Sequence, residues 1–121
     1  MPRPPLSIQL PVESPSFSDE KLRRYEHVLT NPLQFGELHV RQVIARRTMV
    51  LMAQFDELEA VKTRIPHAVY KREMGKLVVK VKAFHTQVRK AETKFNLTRK
   101  VRELTKKLFE RAHRLATKFI K

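Results

Sequence analysis

The sequence predicts an all-α protein: an antiparallel helical hairpin with a short N-terminal helix, an extended proline-rich N-terminal arm and a long basic C-terminal helix. Three observations predict it. The 121 residues include only two glycines and seven prolines, five of the prolines within the first fifteen positions, so most of the chain lacks the turn punctuation of a sheet protein. Apolar side chains recur at three- and four-residue spacing through most of the chain beyond the arm. The last 46 residues, 76–121, hold no glycine or proline at all.

Residues 1–17 read as the arm. Met1 to Ser16 carries one Arg and one Glu among its prolines, a composition that favours extended polyproline conformations and builds no core of its own. Residues 18–95 read as the helical hairpin domain. Ser16 and Ser18 are N-cap candidates ahead of Asp19 and Glu20, whose charges suit the positive end of a helix dipole. Leu22, Tyr25, Val28 and Leu29 then repeat at helical spacing up to Asn31-Pro32, which predicts a first helix over Ser18 to Leu29. A second pattern runs from about Glu37 to Arg64, with Val40, Ile44, Leu51, Phe55, Leu58 and Ile65 along one side and Pro66 as its limit. Asp56, Glu57 and Glu59 group on its outward side, with Arg41, Arg46 and Arg47 earlier; both groups are expected to be solvated and paired within the helix.

Leu77, Val81, Phe84, Val88, Ala91 and Phe95 succeed one another in steps of four and three, a coiled-coil-like seam that should fold back against Ile44 to Ile65, with the first helix across one end. Beyond Phe95 the stripe changes phase: Val101, Leu104, Leu108, Ala112, Leu115 and Phe119 are rotated by roughly 140° from the first. The segment 96–121 therefore reads as a separate basic amphipathic helix, bent near Asn96 to Thr98 or continuing straight. Val101, Leu104, Leu108, Leu115 and Phe119 are expected to be buried against another protein.

Charge carries the functional expectation. Residues 76–121 hold fifteen Lys and Arg against Glu92, Glu103 and Glu110, so +12 of the formal net charge of +14 belongs to them. Lys100, Lys107, Arg111, Arg114, Lys118 and Lys121 fall within about 80° of one another on a helical wheel, with Arg99, Arg102 and Lys106 on the next flank. Six cations along one side of a helix repel one another unless a counter-charge is supplied, and nucleic-acid phosphates supply it at regular spacing. These nine residues are the candidate RNA-binding set, contacting backbone phosphates rather than base edges. Phe109 is the best placed aromatic for stacking on a base.

Other chemistry finds no support. The five histidines lie far apart in sequence and there is no cysteine, so no metal-ligating or nucleophile-base pattern forms. Two glycines cannot build a phosphate-cradling loop. No cofactor, no small-molecule substrate and no enzymatic activity are expected. The longest apolar run, Met49 to Ala53, is far short of the roughly 18 residues a spanning helix requires, and no secretory signal is visible. The sequence thus predicts an intracellular protein of the mitochondrial matrix or cytoplasm: a non-catalytic subunit of a large ribonucleoprotein, a ribosome or mitochondrial ribosome, whose partners are ribosomal RNA and neighbouring proteins. The analogy to small ribosomal proteins is one of architecture only. Two readings compete with it, an accessory helical subunit of a membrane-bound or cytoskeletal complex and a DNA-compacting protein.

Overall fold

The computed structural model describes residues 19–119, so the arm expected at 1–17 and the basic residue Lys121 lie outside the described residues. The described residues are all-helical: α1 (Asp19–Thr30), α2 (Glu37–Ala60), α3 (His67–Glu92) and α4 (Arg99–Phe119), with 3-10 turns at Pro32–Gln34 and Lys62–Arg64.

The breaks fall where the backbone chemistry puts them. Proline after Asn31 ends α1 and opens the first 3-10 turn. Pro66, with φ −59°, is the residue before α3 and accepts the first-turn N–H groups of Val69 and Tyr70 at 3.0 Å. Gly36 stands in the same place before α2, extended at φ −71° and ψ 151°, with no side-chain cap. A Cβ added there meets nothing within 4 Å. Gly36→Ser is therefore expected to stabilise the protein by about 0.5–1 kcal/mol, through a new cap on the orphan N–H groups and a stiffer unfolded chain; a rise in the urea midpoint checks it.

Helices α2, α3 and α4 pack on one another, and α1 lies against α2 and α3. Lys62, in the 3-10 turn after α2, stands 5.6 Å from the centroid of the Tyr70 ring at the start of α3. His85 of α3 stacks on Phe109 of α4 with centroids 4.1 Å apart, and Arg41 and Asp56 of α2 reach Asn96 and Arg111. Helix α4 thus reverses direction after α3 and runs alongside α2. On the far side, Gln87 donates to Glu26 at 2.7 Å and ties α3 to α1.

The break takes in Asn96 to Thr98, where a bend was expected, but it is a reversal, and the straight form is overturned. Helix α3 stops at Glu92, and the chain turns through residues 93–98 with no glycine or proline. Thr93 Oγ1 donates to Lys90 O at 2.7 Å, closing the outgoing helix. Thr98 Oγ1 accepts the Val101 N–H at 3.3 Å, capping the incoming one. Between them Leu97 is buried, which pins the turn to the core.

One core cluster runs from Val28 to Ala112, so the boundary drawn at residue 95 does not divide it. Leu29, Ile44, Leu51, Phe55, Tyr70 and Phe84 form its centre, and Leu97, Val101, Leu108 and Ala112 complete it from the C-terminal side. Of the second apolar stripe, Val101, Leu108 and Ala112 lie in the chain's own core and Leu115 packs against it. The reason is the turn: once α4 folds back, it presents that stripe to the side of α2 and α3 opposite α1. Two hydroxyls buried with the apolar groups are satisfied locally, Thr48 Oγ1 donating to Ile44 O at 2.8 Å and Thr105 Oγ1 to Arg102 O at 3.0 Å.

Candidate nucleic-acid interface

Because Val101, Thr105, Leu108 and Ala112 face the core, the cations of α4 are divided between its two outer flanks. Lys100, Lys107 and Arg114 lie on the flank beside α2, at successive seven-residue steps of about 10.5 Å along the axis. All three are exposed, and none has an ion pair among the described residues. Lys118 continues this line and is also exposed.

Arg111 does not join it. Its side chain is only 19 % exposed, donates from Nη1 to Asp56 Oδ1 at 2.7 Å, and lays its guanidinium 5.3 Å from the centroid of the Phe55 ring. That arrangement combines a charge-assisted hydrogen bond with a cation–π contact, and both are directed at α2. Arg111 is thus a strut between α4 and α2, its guanidinium turned to Asp56 rather than to the line of Lys100 and Lys107. The acid that holds it was expected to be paired within its own helix.

On the other flank, Arg99 donates to Glu103 at 3.2 Å, and Arg102 donates to Asn96 Oδ1 at 3.0 Å, across the turn. Lys106 is exposed without an ion pair among the described residues. Phe109 is half-buried, with one ring against His85 and another, Phe84, at 6.0 Å. His85 covers one face of the ring, which leaves less of it open for stacking on a base. Of the apolar set expected to meet a protein, Val101 and Leu108 are core residues, Leu115 is half-buried against the core and Leu104 is half-buried, while the Phe119 side chain lies outside what is described.

Positive charge also extends beyond α4, and what the sequence did not disclose is that α2 adds to it. Arg47 of α2 and Lys80 of α3 come close enough to repel. The Lys80 ammonium is held below its ordinary range by burial first and by Arg47 next, with Glu73 opposing. Burial lowers Arg47 too, against the pull of Glu26. The Lys and Arg counted over residues 76–121 include five in α3, Lys76, Lys80, Lys82, Arg89 and Lys90, beside the eight of α4.

Among the described residues, no three His, Asp or Glu side chains converge as a metal site. None of the described helices is long and apolar enough to cross a membrane. No family model, curated protein or solved structure matches this chain.

Proposed function

We propose that this protein is a non-catalytic structural subunit of a large ribonucleoprotein, a ribosome or mitochondrial ribosome, lying along RNA through the outer flanks of α4. In this reading the α2–α3 hairpin is the rigid body that carries α4, and apolar surface outside the core meets protein neighbours. The observation that carries the reading is the line Lys100, Lys107 and Arg114: exposed cations in register, with no acid drawn to them. An ordinary solvated helix relieves such a line with interleaved Glu at i+3 or i+4. Here Glu103 is engaged by Arg99, and Glu110, between Lys107 and Arg114, forms no ion pair among the described residues. Phosphates at regular spacing neutralise the line without requiring any base contact.

Salt dependence tests it. With a short RNA duplex as probe, log affinity falls with log salt by about 0.7–0.9 per phosphate contact. Removing two contacts by replacing Lys107 and Arg114 with Gln is expected to lower the slope by about 1.5 and to weaken unrelated duplexes equally. Arg111→Gln is expected to leave the slope unchanged, because its charge is directed at Asp56. An unchanged slope in the Lys107 and Arg114 double variant makes the line a solubilising surface. A loss confined to one RNA sequence means base readout. Equal affinity for duplex DNA shifts the reading to DNA, and binding to anionic vesicles in place of RNA shifts it to a membrane-associated complex.

A further inference from the structure

Along the seam between α3 and α4, on the side away from α2, lie two depressions of about 820 Å³ and about 290 Å³. Both are lined by His85, Phe109 and Glu110, so they are parts of one groove. It extends from Val78 to Glu92 of α3, about 21 Å at 1.5 Å per residue. Val78, Val81, Val88, Phe109, Ala112 and Ala116 supply its apolar lining. Lys82 rises from α3, and Arg102, Lys106 and Arg114 from α4, against Glu92 and Glu110.

We propose that this groove is the docking site for an acidic amphipathic helix of a partner protein, about four turns long. Three features select that occupant. The first is precedent within the fold. Helix α1 already packs against α2 and α3 and sends Val28 and Leu29 into the common core, and no described helix occupies the corresponding position on α3 and α4. The second is shape: Ala112 and Ala116 keep the α4 wall low, so a helix backbone approaches closely and sets side chains at i, i+3, i+4 and i+7 on the lining. The third is charge. Lys and Arg outnumber Glu around the groove, and His85 and His113 add no negative charge, so the polar face of the incoming helix is acidic. RNA has no use for an apolar lining. A bilayer requires apolar side chains that protrude, whereas Val78, Val81, Val88 and Ala112 are recessed and buried. The inference extends the assembly reading by naming how a protein neighbour binds, on a face of α4 different from that of Lys100 and Lys107, with Arg114 at the edge of both.

Two synthetic peptides of about four turns, with the same Leu and Ala face and a polar face of either Glu or Lys, test it against the full-length protein by NMR titration. The Glu peptide is expected to shift the signals of His85, Phe109 and Ala116 and to bind about ten-fold more tightly than the Lys peptide. Ala116→Gln places a polar side chain in the groove without changing charge or helix propensity much. It is expected to weaken the Glu peptide about ten-fold while leaving affinity for an RNA duplex unchanged. Equal binding of the two peptides, shifts confined to other residues, or indifference to Ala116→Gln overturns the proposal. So does a concentration-dependent shift of the same residues without peptide, which assigns the groove to a second copy, and so does their response to phosphatidylglycerol vesicles alone. If RNA binding fails while the Glu peptide docks as described, the ribonucleoprotein reading falls and the groove stands.

Discussion

Leu108→Ala is expected to destabilise the isolated protein by about 2–5 kcal/mol, the range for truncating a large aliphatic side chain in a packed core. Leu108 is 0 % exposed and belongs to the same cluster as Phe55 and Phe84. Removing three carbons opens a cavity whose walls come from different helices, and helices tied to one another close such a cavity only in part. Urea unfolding of the purified chain measures the loss. Leu104→Ala, at a half-buried position on the same helix, is the control and is expected to cost less than Leu108→Ala. An unchanged midpoint for Leu108→Ala would mean that α4 is an appendage completed by a partner. A loss in this range, in a single transition, means that α4 is part of the folding unit.

The contrast between these two positions also shows what the sequence disclosed. The stripe Val101, Leu104, Leu108, Ala112, Leu115 was visible from periodicity alone, because a helix must place apolar residues on one side to bury them. Its partner was not visible, because that depends on the direction of the chain after α3. The cues to the reversal are short-range and easily overridden: Thr93, Asn96 and Thr98 are cap-forming residues set close together in an otherwise strong helix former. Without a glycine or proline, the change of phase across Phe95 marked a separate helix but gave no sign of a reversal. The same limit applies to the site. Exposure of Lys100, Lys107 and Arg114 follows from the wheel, whereas the loss of Arg111 depends on Asp56, 55 residues away in sequence, and no helical wheel contains that information.

The reversal has a clamp of its own, which gives a second large effect. Arg41 of α2 donates from Nε to Asn96 O at 2.9 Å, and its Nη2 also reaches that carbonyl and donates to Glu37 Oε2 at 2.8 Å. Glu37 Oε2 accepts the Asn96 N–H at 2.9 Å. One turn of α2 thus satisfies both backbone groups of Asn96, which the turn between α3 and α4 leaves outside any helix. Hydrogen bonds to charged groups contribute about 1.5–3 kcal/mol each, and the Arg41 side chain is 26 % exposed, so solvent replaces them incompletely. Arg41→Ala is expected to cost about 2–3 kcal/mol. Glu37→Gln retains an acceptor for the Asn96 N–H and is expected to cost less than Arg41→Ala. Hydrogen exchange locates the effect: protection should fall at Asn96 and along the first turns of α4 before it falls at the centre of α2, since local opening begins where few contacts hold the backbone. Uniform loss of protection across all four helices would show that Arg41 stabilises the bundle as a whole and that the turn holds its shape without it.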